Sequence, residues 1–534
     1  MPNADHIPGA LPVLSCAEAR ELEQRLLGGG EAREWAAMRR AGCGIGRAVT
    51  EDAREIGGIA AHGSLLVLCG KGHNGGDALL AAHQILDAHP AATALVVIVP
   101  GFAALRPLVR RALEALCAMH RRRVECVSVN GPAEGRDAAR LRKRLGGARF
   151  DLCLDGLFGM QFRPPFRAPA DWLIELVNDH PAIRLRAAVD VPSGVGDASA
   201  EAPFRADFTY AAGVAKRPLF ASPNSGYAGR VRLIDIGFFE SETEHAATRL
   251  RILTARVLEP WAALRAPVSD KRKFGHLFVV SGARDMAGAV LMTVEAALLS
   301  GVGLVTAFVP ESIAASAAAR LPEAMWVPMP ETPGGGLALE GRGAVVARST
   351  RCTALLTGPG LGRDRETHAL VRELLKSIDV PAVVDGDALQ PDVIGVRKPL
   401  ESGTVLTPHA GEFARVSGAD DAGDDALRKA ARDLDAVVVL KGTPTRICKT
   451  DTVYVSPFGG PVLARGGSGD FLAGLIGGLV ATGMPPLHAA LRGAVWHGLA
   501  ADALARASGQ ASARVTRLAD HLGQVLREEE VDRG

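Results

Sequence analysis

Three observations on the sequence predict an α/β protein of two domains. Short runs of apolar and β-branched residues alternate with helical stretches in both halves, and this alternation lapses between residues 240 and 270. A chain of 534 residues is also long enough for two or three domains. Continuous apolar strands that alternate with helices form parallel sheets covered on both faces, so ligand sites are expected at the carboxyl ends of the strands.

The first domain, residues 1–245, is predicted to be a Rossmann-like, three-layer parallel sheet. Its strand-like runs are SLLVLC (64–69), ALVVIV (94–99), VECVSV (124–129), FDLCL (150–154) and LRAAVD (185–190). Between them lie helical patterns such as DALLAAHQILDAH (77–89). We place the boundary in the segment 240–270, which we interpret as lacking a strand, so the second domain is predicted to span residues 246–534.

The second domain repeats the alternation of strands and helices. Its strand-like runs are HLFVVS (276–281), GLVTAFV (303–309), TALLT (353–357), AVVD (382–385), GTVLT (403–407) and AVVVL (436–440). Residues 331–343 are predicted to form a glycine-rich loop. The apolar stretch 289–309 contains Glu295 and several glycines, which favours a buried helix followed by a strand over a membrane span.

The composition excludes several classes of protein. The formal net charge is only +2, which argues against a nucleic-acid partner or a charged membrane surface. The eight cysteines are scattered singly, without a CxxC pair or zinc-type spacing, so neither a disulfide scaffold nor a structural zinc site is indicated. The N-terminus lacks the pattern of a secretion signal. We therefore expect a protein of the reducing cytoplasm.

In the first domain, three strand ends carry polar or glycine-rich segments. CGKGHNGGDALL (69–80) follows a strand and opens a helix, an arrangement that suits a phosphate but is also found in plain turns. Asp155 follows a second strand, and Asp190 with Ser193 follows a third. We expect these groups to gather with Asn74 and Asp77 along one edge of the sheet. The oxygens of Asn74, Asp155 and Ser193 suit a hard cation.

In the second domain, GGSGDFLAG (466–474) places one carboxylate, Asp470, at the start of an apolar helix. Main-chain N–H groups at Ser468 and Gly469 are suited to a transferring phosphoryl group, and Asp470 to removing a proton from the acceptor hydroxyl. A plain helix N-cap is the alternative role for Asp470. Other strand ends carry GPGLG (358–362), DGDAL (385–389), TPHAGEF (407–413) and LKGTPTRI (440–447), which favours a catalytic site.

The motifs HNGGDA, DGLFGMQ and DVPSG, in this order, resemble those of the NAD(P)H-hydrate epimerases, also called YjeF N-terminal domains. The resemblance covers roughly residues 15–240 and implies a potassium ion held by Asn74, Asp155 and Ser193. Together with Asp190, the residues implied to bind the damaged cofactor are His73, Asn74, Gly75, Gly76, Asp77, Gly159, Met160, Gln161, Phe162 and Arg163.

Three residues depart from the epimerase pattern: His73, Ala78 and Met160. His73 is either a tolerated loop residue or a change that leaves this domain binding its ligand while turning it over slowly. Lys216 matches a lysine common near the end of such domains, and it is either a solvated surface residue or part of the site.

The segments GARDMAGA, PEAM, GPGLG, DGDAL, TPHAGEF, KG and GSGDFLAG resemble the ADP-dependent NAD(P)H-hydrate dehydratases of the ribokinase-like superfamily over roughly residues 265–515. The resemblance implies a ribokinase-like domain that uses ADP as co-substrate, and we expect a magnesium ion to assist phosphoryl transfer. The implied dinucleotide contacts are Ala289, Gly360, His409 and Asp470; the implied nucleotide contacts are Lys441, Gly442, Thr443, Pro444, Thr445 and Gly469. His409 is alternatively a satisfied loop histidine.

The two resemblances together imply repair of NADH and NADPH that have added water across the ring. Phosphorylation turns the added hydroxyl into a good leaving group, which explains a kinase-like site in a dehydratase. Asp470 is the predicted base of that step, and Asp190 is predicted to assist epimerisation in the first domain. The alternatives are a small-molecule kinase similar to hydroxyethylthiazole kinases, and a first domain that only binds its ligand. We expect small-molecule partners and a homo-oligomer.

Overall fold

The computed structural model describes residues 7–239, 248–396 and 403–528. The chain divides into two compact units. The N-terminal unit comprises residues 11–248 with 506–510, and the C-terminal unit comprises residues 1–10, 249–505 and 511–534. The predicted domain boundary between residues 245 and 246 lies outside the described residues and stays a prediction.

The N-terminal unit contains a seven-stranded sheet in the order β4-β3-β2-β5-β6-β7-β9, in which every neighbouring pair is parallel. The strands are β2 (Ser64–Cys69), β3 (Thr93–Ile98), β4 (Val124–Ser128), β5 (Leu152–Gly156), β6 (Arg186–Val189), β7 (Phe208–Ala212) and β9 (Arg230–Ile234). A separate parallel pair joins β1 (Ala10–Leu14) and β8 (Ala215–Lys216).

Helices cover both faces of this sheet. They are α1 (Cys16–Leu27), α2 (Glu31–Ala53), α3 (His73–Ala88), α4 (Pro107–Met119), α5 (Arg136–Leu145), α6 (Ala170–Asn178) and α7 (Ser225–Ala228). One core cluster joins the sheet to α2, α3 and α4, and a second joins it to α5 and α6. The unit is therefore the three-layer sandwich that the sequence predicts.

The sheet of the C-terminal unit runs in the order β13-β12-β11-β14-β15-β16-β17-β18-β19-β10. The strands are β10 (Leu250–Leu253), β11 (His276–Val280), β12 (Leu304–Pro310), β13 (Met325–Met329), β14 (Ala354–Thr357), β15 (Ala382–Val384), β16 (Thr404–Leu406), β17 (Val437–Leu440), β18 (Thr445–Cys448) and β19 (Val453–Ser456). Only β18 runs antiparallel to its neighbours among these described strands.

Ten helices accompany this second sheet in the described residues. They are α8 (Ala287–Leu299), α9 (Glu311–Arg320), α10 (Arg342–Val346), α11 (Arg365–Ser377), α12 (Pro391–Ile394), α13 (Ala410–Ser417), α14 (Asp424–Asp433), α15 (Ser468–Ala481), α16 (Pro486–Ser508) and α17 (Leu518–Glu528). Core clusters on either side of the strands include α8, α15 and α16 in one and α11 in the other. The predicted two-domain α/β fold is thus confirmed.

Two glycines allow α15 to lie directly against α8. A Cβ at Gly474 would overlap the carbonyl oxygen of Thr293, and a Cβ at Gly478 would overlap the side chain of Ser300. These glycines are four residues apart, so they lie on one face of the helix. The run GLIGGL therefore serves close helix packing, which fixes the position of the N-terminus of α15.

All eleven predicted runs overlap a strand, but the strand list from sequence is incomplete. The interpretation of 240–270 as lacking a strand is wrong, because β10 occupies Leu250–Leu253. Its four residues lie among charged neighbours and give little periodicity, and the strand is stabilised by parallel pairing with β19. No helix within the described residues is long and apolar enough to cross a membrane.

Candidate active sites

The structure brings Asn74, Asp155 and Ser193 together beneath the turn that follows β5. Ser193 donates to Asp155 through both its N–H (2.7 Å) and its hydroxyl (2.7 Å). The amide of Asn74 donates to the carbonyl oxygen of Phe158 at 2.8 Å. Burial raises the pKa of Asp155 to about 6 despite these hydrogen bonds.

One oxygen of this group has no partner. Asn74 Oδ1 is buried and accepts no hydrogen bond from the described residues. An unpaired buried amide oxygen costs free energy unless a donor or a cation faces it. The neighbouring hydroxyl and carbonyl oxygens are the ligands that a hard cation prefers, so this oxygen-rich set fits the predicted cation.

A second group of charges surrounds Asp190, the residue after β6. Lys216, fully buried, forms an ion pair with Asp190 and donates to the carbonyl oxygen of Ala212 at 3.2 Å. The Ala212 N–H donates to Asp190 at 3.3 Å. Burial disfavours the ammonium, but Asp190 and Glu23 hold the pKa of Lys216 above its ordinary value. Lys216 is therefore not a solvated surface residue.

Two further acids face this ion pair. Asp77 lies in the first turns of α3, and burial, Asp190 and Glu23 raise its pKa well above the ordinary range. Glu23 lies on α1, and burial raises its pKa to about 7. Three carboxyl groups and one ammonium thus share a small region, and the acids oppose one another's ionisation.

The turn predicted to bind the dinucleotide, residues 159–163, lies next to Asn74. A Cβ on Gly159 would lie 3.5 Å from the Cβ of Asn74. Gly159, Met160 and Phe162 are half-buried, whereas Gln161 and Arg163 are exposed. The ring of Phe162 contacts the rings of Phe158 and Phe166, with centroids 5.3 and 4.8 Å apart. This aromatic cluster gives the turn a fixed apolar surface.

His73 lies at the exposed start of α3. Its Nε2 is 3.6 Å from a carboxylate oxygen of Glu34, and half of its side chain is exposed. Gly75 and Gly76 are buried, and a Cβ on Gly76 would lie 2.7 Å from the sulfur of Met38. The histidine therefore lies outside the packed part of the motif.

In the C-terminal unit, Asp470 does not cap its helix. The N-cap of α15 is Gly467, and Asp470 is the third residue of the helix. Its carboxylate accepts no hydrogen bond within the described part of the chain, while burial, followed by the charge of Asp385, raises its pKa to about 6. The alternative role as N-cap is therefore wrong, and the carboxylate is available for chemistry.

Lys441 and the carboxylate of Asp385 lie beside the start of α15. Lys441 Nζ is 2.7 Å from Asp385 and 3.7 Å from Glu412, and a Cβ on Gly469 would lie 3.1 Å from this Nζ. Thr407 donates to Asp385 at 2.6 Å. Burial opposes the charge on Lys441, but Asp385 and Glu412 raise its pKa. A positive charge thus lies beside the helix N-terminus, an arrangement that binds anions.

His409 caps α13. Its Nδ1 accepts from the N–H groups of Gly411 (3.0 Å) and Glu412 (3.3 Å), and its main-chain N–H donates to the carboxylate of Glu412 (2.8 Å). Because Nδ1 accepts, the neutral ring carries its proton on Nε2, which lies 3.3 Å from Glu412. The side chain is 58% exposed, so a ligand can reach it even though both nitrogens have local partners.

The other predicted contacts fall into two places. Gly360 has φ +59°, and a Cβ on it would lie 2.7 Å from the Cβ of Ala289, so these two residues are neighbours. In the connection between β17 and β18, Gly442 and Thr443 are exposed and Pro444 is half-buried; Thr445, also half-buried, is the first residue of β18. Within this described connection, the contact with Asp385 is made by Lys441.

The family described as YjeF-related protein N-terminus matches residues 36–218, and the family described as NAD(P)H-hydrate dehydratase matches residues 277–524. The bifunctional NAD(P)H-hydrate repair enzyme Nnr of Moorella thermoacetica is 34% identical over 504 residues, covering 91% of this chain and 92% of that protein. The chain belongs to the bifunctional NAD(P)H-hydrate repair enzymes.

Two further proteins are similar to the C-terminal half. The ADP-dependent (S)-NAD(P)H-hydrate dehydratase of Xanthomonas campestris is 36% identical over 267 residues, covering 49% of this chain and 91% of that protein. A crystal structure of the ADP/ATP-dependent NAD(P)H-hydrate dehydratase of Bacillus subtilis is 27% identical, with a TM-score of 0.44, and covers 50% of this chain and 93% of that chain. Membership of the repair-enzyme family confirms the resemblance inferred from the motifs.

In this repair enzyme, sequence reasoning missed several residues that the structure places at the two sites. Glu23 gave no signal, because it is one of several charged residues on α1. Asp385, Thr407 and Glu412 lie inside the recognised motifs but were not singled out. The strand-end motifs locate both sites, whereas individual charged partners depend on how distant elements pack.

Proposed function

We propose that the protein repairs hydrated NADH and NADPH: the N-terminal domain interconverts the R and S hydrates, and the C-terminal domain dehydrates the S form with ADP, releasing AMP and phosphate. The dehydratase assignment rests on the carboxylate of Asp470, which lies in the first turn of α15 beside Lys441 and does not cap the helix. Family membership supports both activities.

In the dehydratase, Asp470 takes the proton from the hydroxyl on C6 of the dinucleotide ring as that oxygen attacks the terminal phosphoryl group of ADP. The first N–H groups of α15 and the ammonium of Lys441 stabilise the negative charge of the transferring group. The bond from C6 to the phosphorylated oxygen then breaks, phosphate leaves, and loss of a proton restores the double bond. Thr407 and Asp385 orient Lys441 in this scheme.

We assign potassium to the N-terminal site and magnesium to the C-terminal site. Asn74, Asp155 and Ser193 would hold potassium, which would supply positive charge next to the dinucleotide; the unpartnered Oδ1 of Asn74 supports this assignment. Magnesium would be bound mainly by the phosphates of ADP, and it would offset phosphoryl charge. A cytoplasmic location and a homo-oligomer belong to the same proposal; the eight free cysteines support the former.

The pH dependence of dehydration is expected to follow Asp470. A base must be ionised, and the pKa of this carboxyl is raised to about 6 by burial and then by the charge of Asp385. We expect kcat/KM for the S hydrate to be constant above this pH and to fall about tenfold per unit below it. Asp387→Asn removes another charge that raises this pKa, so the midpoint should move to lower pH. A rate that is independent of pH between about 5 and 7 contradicts the assignment.

Product analysis tests the function against its two alternatives. Pure S hydrate is incubated with the full-length protein and ADP, then with ATP, and the restored dihydronicotinamide is followed by absorbance while nucleotides are separated by chromatography. Restored NADH with AMP and phosphate supports a dehydratase, whereas a stable phosphorylated product supports a small-molecule kinase. In a second assay, pure R hydrate is incubated with the protein without nucleotide. Conversion to the S hydrate that is no faster than in buffer supports the alternative in which the N-terminal domain only binds its ligand.

A further inference from the structure

We propose that Asp77 is the proton-transfer residue of the N-terminal domain, and that the Asp190–Lys216 pair acts through it. This inference rests on the proposed epimerase function of that domain. Two neighbouring acids differ in their partners. Asp190 is ion-paired, whereas Asp77 has one buried carboxyl oxygen without a partner among the described residues.

Asp190 is occupied by its own partners. Its Oδ1 accepts from the ammonium of Lys216 and from the N–H of Ala212. Lys216 is fully buried and Asp190 is 8% exposed. Moving a proton onto Asp190 would leave a buried ammonium without its counter-ion, which is costly. Asp190 is therefore suited to hold a fixed charge and poorly suited to exchange protons during turnover.

Asp77 has the opposite surroundings. Its Oδ1 is buried and, in the described residues, has no hydrogen-bond partner. The residue as a whole is half-buried, so part of it remains accessible from the site. It lies in the HNGGD segment that opens α3, close to Asn74. A buried carboxyl oxygen without a partner favours the neutral acid, and the accessible part of the same side chain can bond a group on a ligand.

The charged groups around Asp77 come from three other elements. Asp190 follows β6, Glu23 lies on α1 and Lys216 lies on β8. Burial is the largest cause of the raised pKa of Asp77, the two acids raise it further, and Lys216 lowers it. Burial and the two acids therefore favour the protonated form of Asp77, whereas Lys216 favours its ionised form.

The proposed step inverts the configuration at C6 and leaves Asp77 in its starting protonation state. Protonated Asp77 donates to the hydroxyl on C6 while the ring nitrogen supplies its lone pair, so the C6–O bond breaks and water leaves with a cationic C=N bond behind. A water molecule then adds to the opposite face of C6, its electron pair forms the new C–O bond, and its proton leaves to solvent water, from which the Asp77 carboxylate regains a proton. No oxidant, reductant or nucleotide is consumed.

Asp77→Asn in the full-length protein tests this proposal, because the amide keeps the shape and removes the acid. We expect conversion of R to S hydrate, followed by chromatography, to fall at least about 100-fold. Binding of the hydrate is expected to change by less than about threefold, so the loss lies in kcat. The matched control is Asp87→Asn, the same change at a half-exposed site on the same helix, with an expected rate near that of the wild type.

Asp190→Asn provides the second measurement. Without the charge of Asp190, Lys216 favours the ionised form of Asp77, so the pH above which kcat falls should move down, with activity recovered in acid. If the wild type converts R to S hydrate and Asp77→Asn does so at the same rate, the inference about Asp77 is wrong, while the epimerase function is retained. An Asp190→Asn protein whose N-terminal domain is folded by hydrogen exchange but which is inactive at every pH also overturns it, because Asp190 is then the proton carrier. A wild type no faster than buffer instead removes the epimerase function itself.

Discussion

Replacing Asp470 with Asn is expected to lower the rate of ADP-dependent dehydration of the S hydrate by about 10²–10⁴-fold, which is the range for loss of a general base. The carboxylate accepts no hydrogen bond from described residues and is not the N-cap of α15, so the amide removes the base without removing a structural contact. Steady-state kinetics with restored dihydronicotinamide absorbance measure the effect, and KM is expected to change little.

The control for Asp470→Asn is Asp379→Asn, which changes an exposed carboxylate of the same domain and should leave the rate unaltered. Conversion of R to S hydrate should also be unaffected by Asp470→Asn, since it belongs to the other domain. An Asp470→Asn protein that dehydrates the S hydrate at the wild-type rate would remove the kinase-like mechanism for the C-terminal domain.

Lys216→Met is expected to destabilise the N-terminal domain by about 3–5 kcal/mol, the cost of leaving a buried charge without its partner. Lys216 is fully buried and pairs with Asp190, and removing it leaves that carboxylate facing Asp77 and Glu23. Urea unfolding of the full chain, followed by hydrogen-exchange mass spectrometry, resolves this domain from the other. Epimerisation is expected to be lost together with stability.

The double variant Lys216→Met/Asp190→Asn separates the buried charge from the loss of packing. Because neither charge remains, part of the destabilisation of the single variant should disappear, giving a favourable coupling free energy of about 1–3 kcal/mol between the two changes. Equal stability of Lys216→Met and the wild type would mean that solvent reaches this pair, against its burial in the structure.

The fold was predictable from sequence because its central strands are uninterrupted apolar runs. Strands such as β2 and β11 are buried on both faces, so their residues are almost all Leu, Val and Phe. Strands such as β10 and β13 carry charged or exposed residues and depend on a neighbour for their pairing. The local sequence pattern does not show which strand will pair with them, so these strands cannot be predicted from it.

The sites divide in the same way. Asn74 and Asp155 could be located because each lies in a glycine-rich motif at the end of a strand, where parallel sheets place their ligands. Asp470 could be located because it is the one carboxylate in a glycine-rich motif that opens an apolar helix. The positions of Lys216 and Glu23 could not be predicted, because the burial of one and the charge partners of both result from packing of elements far apart in sequence. Ordinary periodicity assigns a lysine or glutamate to the surface.

The contact of α15 with α8 connects the predicted base, Asp470, with the predicted dinucleotide contact, Ala289. The hydroxyl of Thr293 donates to the carbonyl oxygen of Asp470 at 3.2 Å, and α8 begins near Ala289, the predicted contact of the dinucleotide. Without side chains at Gly474 and Gly478, the two backbones lie in direct contact. We therefore expect the distance between the predicted dinucleotide contact at Ala289 and the predicted base Asp470 to change little when other parts of the domain move.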